Sequence, residues 1–556
     1  MKRLYHFSLR TARRLLILLI ILTGLLVISG RLLAPLAAQY RADVADWASE
    51  LLGQPVEVGR LRGNWRGVGP ELILYDLQLI NPESHKPTLY LEEVRITIGL
   101  IDSLRQLTPV VRKVSFISPR LRVIRRQNGS ITVGNLDELN EINPGDGSSA
   151  FLLPTHLSLE KGELIWEDQM INVPPLRLTD VNLRLRNSGA RHQLNGSITL
   201  PGERPGQIEL AIDLRGQLDK INTWSASSYM QSSGIDLAFL LNRRVAEKYR
   251  FSNRQAEIKL WGEWDHKGLI NLEGTTRWEQ VAITRQASKP EQTASTLNLD
   301  KAAGALRLQR QTGGWQLDLV DLQIQRNGRD WPRSQVGVTA LQDKQGDWRI
   351  RAGSSRLRVE DIHAISTLFP LPNSGLEQML KQVKANGSLN NLRLDFQQRE
   401  QGDRWSASGE VTEFTSQPWE GLPGVHNLPL AFWMDARQGT IALDATDVSL
   451  DFADLFRDPL VLRRLQGDLT WQYGQEGDLV ISTDKLLAEN DDIHTLSRIH
   501  MTLPGADQAS PILDLQGDFW DGDASTTHRY LPAGIMGDNV VAWVDRSIGS
   551  GHVTEG

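Results

Sequence analysis

There is no cysteine among the 556 residues, which excludes disulfide frameworks, thiol nucleophiles and cysteine-ligated zinc together. Nor is there an H-E-x-x-H, a P-loop or a G-x-S-x-G elbow. The eleven histidines, His85, His156, His266, His363 and His528 among them, are scattered without a close pair at helical spacing. The one glycine-rich match, Gly145-Asp146-Gly147-Ser148-Ser149-Ala150, follows Asn143-Pro144 rather than a strand and reads as a loop. Carboxylates such as Asp491-Asp492 and Asp518, Asp521 and Asp523 fall at turn-like positions, where a solvated turn or a loose Ca²⁺ contact is expected rather than acid–base work. Positive charge is short as well. The formal charge is −6, and residues 1–38 hold six Lys or Arg and no acid, so the remainder stands near −12. A nucleic-acid partner would want a basic stripe. The expectation is no enzyme, no cofactor, no metal and no nucleic acid.

What is present begins with Leu15–Gly30, sixteen residues without a charge, preceded by Lys2, Arg3, Arg10, Arg13 and Arg14 and followed by Arg31. Leu15, Leu16, Ile17, Leu18, Leu19, Ile20, Ile21, Leu22, Leu25, Leu26, Val27 and Ile28 are expected to form a membrane anchor. Extended through Ala34, the run reaches the roughly 20 residues that span ~30 Å of hydrocarbon. The basic flank assigns residues 1–14 to the cytoplasm, 15–38 to the span and the rest to the far side. A cleaved signal peptide is the alternative, but Pro35-Leu36-Ala37-Ala38 offers no clean cleavage site. Residues 39–53 follow as a juxtamembrane amphipathic helix, with Val44, Trp47, Ala48 and Leu51 on one face and Gly53 closing it.

From Val56 the hydrophobic period changes from 3.6 to 2. Runs such as LILYDLQLI, LRLTDVNLRLR, WQLDLVDLQI and GTIALDATDVSLDF alternate apolar and polar residues to the C-terminus. They give roughly 25 to 30 strand candidates. A loose phrase recurs irregularly in the later half: Gly or Trp, an alternating strand, an Asp, another strand, as at Trp315–Leu319 with Asp321-Leu322, at Trp348-Arg349-Ile350, at Ile441–Asp444 with Asp447-Val448 and at Asp478-Leu479-Val480-Ile481. Asn128-Gly129-Ser130, Asn195-Gly196-Ser197 and Asn386-Gly387-Ser388 read as hairpin turns, with glycosylation sequons as the lesser reading. Asn81-Pro82 marks a further turn and Asn140–Ala150 a loop. Helices are few: Asp236–Tyr249, Ser374–Lys384 with a Ser374/Glu377 capping box, and Asp538–Ile548 with Asp538 as N-cap.

Three or four helices cannot cover the apolar faces of so many strands, so the sheet must cover itself as sandwiches, as a barrel or as one sheet curled into a gutter. The expected fold is mostly β, a long antiparallel meander over residues 54–556 curled into an elongated apolar groove, of order 120 Å for about 25 strands. Such a groove suits lipid. Moving a two-chain phospholipid through water exposes some thirty methylenes, a barrier on the order of 25 kcal/mol. Parity alone nominates Leu72, Leu74, Leu183, Leu185, Leu317, Leu319, Ile441 and Leu443 as groove-lining residues. Trp65, Trp261, Trp264 and Trp471 could instead stack sugars in a periplasmic hydrolase, but strand-face Trp is commonly core or rim.

The anchor, the helix after it and Pro55-Val56-Glu57 through Leu61, Trp65, Gly69-Pro70 and Asp76-Leu77 resemble the start of AsmA-like proteins, most closely the YhdP branch. The resemblance continues through Ile235-Asp236-Leu237 and Asp347-Trp348-Arg349-Ile350-Arg351-Ala352, and into HRYLPAGIMGDNVVAWVDRSIGSG at 528–551. Order and spacing carry it rather than any single motif. It implies a repeating β-groove protein anchored in the inner membrane, with its bulk in the periplasm of a Gram-negative bacterium. The implied work is carrying phospholipids toward the outer membrane and upkeep of that membrane's barrier. Members of the branch are longer, so the chain is expected to stop before the outer-membrane end. A structural or assembly factor for outer-membrane biogenesis, with no lipid in its groove, is the alternative.

Overall fold

The computed structural model describes residues 2–556 except 67–68, 81–84, 86, 128–130, 135–154, 170–173, 203–204, 218–219, 237–247, 288–293, 369–378, 380–381, 400–401, 420–421, 454, 475–476 and 506–509. The Asn81-Pro82 and Asn128-Gly129 turns, the Asn140–Ala150 loop and most of the helices expected at 236–249 and 374–384 lie outside the described residues.

The helices are α1 (Lys2–Leu33), α2 (Arg41–Leu52), α3 (Leu100–Gln106), α4 (Val359–Leu368) and α5 (Asp538–Ser547), with a 3-10 segment at Ala34–Tyr40. The strands begin with β1 (Val56–Arg66), β2 (Gly69–Ile80), β3 (Pro87–Ile98), β4 (Val111–Ile117), β5 (Arg120–Arg125), β6 (Ile131–Gly134) and β7 (His156–Asp168). Then come β8 (Leu176–Ser188), β9 (Arg191–Leu200), β10 (Gly206–Arg215), β11 (Ser225–Ile235), β12 (Tyr249–Ser252), β13 (Gln255–Asp265) and β14 (Gly268–Arg285). Next are β15 (Ser295–Gln311), β16 (Gly314–Arg326), β17 (Arg329–Asp330), β18 (Ser334–Gln342), β19 (Trp348–Arg358), β20 (Asn386–Gln397) and β21 (Arg404–Ser416). The series ends with β22 (Gly424–Asp435), β23 (Gln438–Asp451), β24 (Leu460–Tyr473), β25 (Leu479–Glu489), β26 (His494–Leu503), β27 (Ile512–Asp523) and β28 (His552–Glu555). The fold is mostly β, one long and predominantly antiparallel sheet that is not closed. It divides into two compact units, residues 1–246 with 254–274, and residues 247–253 with 275–556.

In the first unit β1, β2, β3 and β4 pair in antiparallel order. The meander then breaks, because β7 pairs in parallel with both β4 and β5. From β7 the antiparallel order resumes through β8, β9, β10, β11 and β13. α1 runs through the basic flank without interruption, ends at Leu33 rather than near residue 38, and gives way to the 3-10 segment where Pro35 sits in its first turn. α1 belongs to the only described stretch long and apolar enough to cross a membrane. α2 covers the apolar side of β1–β3. Ala48, Val56, Val58, Leu61, Leu74, Leu77 and Leu91 form its core, with Val44 and Leu52 against it. Arg41 Nη1 donates to the Val58 carbonyl at 2.9 Å, and the Val56 amide donates to Ser49 Oγ at 2.8 Å. Helix and strand are therefore tied by polar as well as apolar contacts.

The packing of β1 against the end of α1 and the 3-10 segment depends on two glycines, Gly30 in α1 and Gly63 in β1. A Cβ at Gly63 would lie 1.9 Å from the Ala34 carbonyl oxygen, and one at Gly30 would lie 2.1 Å from the Trp65 ring. Gly63→Val is expected to cost about 1–3 kcal/mol by overpacking. Hydrogen-exchange protection across β1 should fall accordingly, and unchanged protection would show that the contact is not maintained in solution.

In the second unit β15, β16, β18, β19 and then β20–β28 follow one another as antiparallel neighbours. Two apolar clusters hold it. One gathers Leu428, Leu443, Ala445, Val448, Leu462 and Leu465. The other places Val359 of α4 with Val383, Ala385, Leu389 and Val411. Arg326 and the buried Asp361 of α4 form an ion pair that fixes the helix over the sheet. α5 begins at Asp538 itself, so Asp538 lies in its first turn and Gly537 takes the N-cap position with no side-chain cap.

Candidate functional site: an apolar sheet face

The candidate site is built by cross-strand register. In the first unit Leu183, Gly196, Leu210, Met230 and Leu260 stand in one row across β8, β9, β10, β11 and β13, and Leu185, Leu194 and Ile212 in the next. The alternate rows are polar: Arg186, Gln193, Asp213, Ser227 and Glu263, then Asn182, Ser197, Glu209, Gln231 and Lys259. On that side Arg191 Nε donates to Asp213 Oδ1 at 3.0 Å, and this guanidinium holds the Asp213 carboxyl below the usual carboxylate range. A shallow cavity of about 440 Å³ lies at polar-row residues that include Asn182, Arg184, Ser197, Glu209 and Tyr229. In the second unit Leu308, Leu317, Val338, Ala352, Leu394 and Ala407 form a row across β15, β16, β18, β19, β20 and β21, with Leu306, Leu319 and Val336 beside it. Each unit thus has one apolar and one polar face.

The eight nominated residues divide by burial. Leu74 is fully buried in the core under α2, with Leu72 packed against it. Leu443 is buried at 7% exposure with Ile441 packed beside it. Leu183, Leu185, Leu317 and Leu319 are half-buried. The main helix packing on these sheets is by α2 at β1 and by α4 at β15, β19 and β20. Of the anchor residues, Leu15, Leu16, Ile17, Leu18, Ile20, Ile21, Leu22, Leu25 and Ile28 are exposed and Val27 is half-buried. The side chains of Leu19 and Leu26 lie outside the described ones.

Alternation by itself missed a device that keeps the apolar face on one side. In four strands the phrase apolar, x, apolar, x, Asp, apolar, x, apolar surrounds an aspartate in the left-handed region: Asp76 at φ 56°, Asp180 at 45°, Asp321 at 51° and Asp447 at 54°. Burial parity switches there. Leu72 and Leu74 are followed by Leu77 and Leu79, and Leu443 and Ala445 by Val448 and Leu450. At Asp180 and Asp321 the register shifts against both neighbouring strands, and at Asp447 against β22, so these are β-bulges whose extra residue bends the strand while returning the next apolar side chain to the same side. At Asp76 the register with β1 and β3 runs unbroken, and the three strands change phase together. Two instances of the loose repeat in the sequence, at Asp321 and Asp447, coincide with such a left-handed aspartate, and those at Trp348-Arg349-Ile350 and Asp478-Leu479 do not. Asp321→Val is expected to cost about 1–2 kcal/mol, because a β-branched side chain resists that backbone, whereas Asp321→Gly is tolerated. Hydrogen exchange along β16 measures both, and equal protection in the two variants would count against the bulge's strain.

The same geometry corrects the reading of two Asn-Gly pairs as hairpin turns. Asn195-Gly196 lies inside β9, and Asn386-Gly387 opens β20. A Cβ at Gly196 would fall 1.9 Å from the Asn182 carbonyl oxygen, next to the Asp180 bulge. At Gly387 it would fall 3.0 Å from the Thr412 carbonyl, next to Glu413 at φ 55°. Glycine is needed there for the close approach of a buckled neighbour.

The tryptophans do not gather into a sugar site. Trp65 lies on Gly30, Trp471 lies over Gly439, and Trp264 Nε1 donates to Ser228 Oγ at 2.8 Å. Trp261 stands in a polar-side row with its ring centroid 5.2 Å from that of Tyr229. Among the acidic groups, Asp491 pairs with Arg463 and Asp492 with Arg529. Asp492 also accepts from the Tyr530 hydroxyl, whose pKa is pushed up to about 12, by burial first. Among the described residues no three His, Asp or Glu side chains gather as metal ligands.

The chain is thus of the class with an open, mostly β sheet carrying an apolar face, preceded by a helix apolar enough to span a membrane. The family model described as YhdP protein matches residues 1–556, and the chain belongs to the YhdP family, which makes it an AsmA-like envelope protein. No curated protein and no solved structure matches it.

Proposed function

We propose that the chain is a non-enzymatic carrier of phospholipid, held by α1 in the inner membrane with its N-terminus cytoplasmic and its bulk periplasmic. It passes lipid toward the outer membrane and so maintains that membrane's permeability barrier. The observation that carries this reading is the row Leu308, Leu317, Val338, Ala352 and Leu394, which is continuous across five strands yet only half-buried or exposed. Apolar surface of that extent calls for an apolar partner. Acyl chains fit a strip that crosses strand after strand without a directional contact. Binding needs only the transfer of methylenes from water, about 0.8 kcal/mol each.

Photo-crosslinking from adjacent positions on β16 tests it. Lipid is expected to attach at Leu317 and not at Gln316, which stands on the other side with its Nε2 donating to Asp318 Oδ2 at 2.9 Å. Equal labelling, or none, would refute the reading. The closed clusters around Leu74 and Val448 favour a second reading, a structural or assembly factor whose apolar face is packed on itself. Stoichiometric phospholipid in the purified chain supports the carrier, and a stable chain free of lipid supports the scaffold.

A further inference from the structure

The apolar face is asymmetric along its strands. In the second unit one edge carries the shortest connections, residues 312–313 between β15 and β16 and 436–437 between β22 and β23, together with 343–347 between β18 and β19, and its longest is 504–511 between β26 and β27. The other edge carries the two longest, 359–385 and 524–551, beside the short 490–493 between β25 and β26, and α4 folds over the sheet there. Burial follows this difference. On β20 exposure rises from 4% at Leu389, near the long connection, to 42% at Leu394, near the short hairpin. On β24 Leu462 and Leu465 are buried, while Leu469 and Trp471 toward the hairpin are half-buried. The first unit repeats the pattern by itself: Ile235, Ala256 and Ile258 are buried at one edge, and Trp264, beside the 266–267 hairpin, is 40% exposed.

Four tryptophans stand at the open edge in phase with the apolar face, while Trp331 at the other edge is buried. Trp348 begins its strand, and Trp315, Trp405 and Trp471 stand within two residues of the ends of theirs at that open edge, all in phase with the apolar rows. Trp315 lies level with Arg310 on one side and Ala340 and Ile350 on the other. Indole has an apolar body and a polar N–H, and it settles where hydrocarbon meets head groups. A guanidinium at the same level matches a phosphate.

We propose that bound phospholipid has a fixed orientation in the second unit, with head groups over the short-hairpin edge at the level of Trp315 and Arg310 and acyl chains running toward the long-connection edge. This rests on the lipid-carrier reading above. Because the chain has no cysteine, single labels can be placed without background. Ala340→Cys and Val336→Cys lie on the same side of β18, about 13 Å apart along the strand. Each full-length variant would carry a small thiol-reactive fluorophore and be loaded with phosphatidylcholine bearing a nitroxide either on the head group or near the end of an acyl chain. The label at 340 is expected to be quenched about twofold more by the head-group nitroxide, and the label at 336 more by the chain nitroxide. Reversed or equal quenching, with lipid bound, overturns the orientation and leaves the carrier reading standing. Quenching at neither position by either lipid overturns both.

Discussion

Leu394→Asp is expected to reduce the phospholipid bound by the purified chain by about tenfold or more while leaving its unfolding midpoint nearly unchanged. The asymmetry follows from where Leu394 stands. At 42% exposure it contributes little to the folded core, and substitutions at such positions usually fall within about 0.5 kcal/mol. It is nevertheless flanked in its row by Ala352 and Ala407. A carboxylate there must lose water against acyl chains or take up a proton, and either costs several kcal/mol with no partner in the row. Each 1.4 kcal/mol is a decade in occupancy. Thr339→Asp is the control: it pairs across the sheet with Gln316 and Arg351, so bound lipid should not change. Equal lipid in Leu394→Asp and the parent would remove the acyl-chain contact from this row.

Deleting Asp447 alone should be among the most destabilising single changes available in the second unit, at about 3–6 kcal/mol. The strand period is two, so removing the bulge residue turns one of its flanks over. Either Val448 and Leu450 or Leu443 and Ala445 then point away from the cluster that holds them. Val448 and Ala445 are fully buried in the native chain, so the loss is a large part of two apolar side chains. Asp447→Gly keeps the residue count and relieves the backbone at φ 54°, and it should stay within about 0.5 kcal/mol of the parent. Urea unfolding of both variants separates the contributions. A deletion variant as stable as the parent would show that β23 does not need the bulge to keep its register.

Much of the fold was legible because alternation is local. The switch from period 3.6 to period 2 at Val56 places the boundary between α2 and the sheet, and the charge-free run after Arg14 marks the one membrane-length helix among the described residues. Parity puts Leu317 with Leu319 and Ile441 with Leu443, since two residues on one side of a bulge keep their phase. It could not carry that phase across Asp321 or Asp447, because a left-handed aspartate is recognised by its backbone angle, which depends on a neighbouring strand. The Asn-Gly pairs misled for the same reason, since a glycine that opens a turn and one that admits a neighbour's carbonyl look alike in a string of letters.

The sequence by itself determined that the chain would be a β-rich ribbon with one apolar side behind a hydrophobic helix, because composition and period fix which side chains seek water. Only the tertiary structure decided which parts of that side are sealed and which are left half-open, and that β7 runs parallel to β4 and β5. Those outcomes depend on which loop or helix returns to cover a strand end, a contact between residues far apart in the chain that no local pattern encodes.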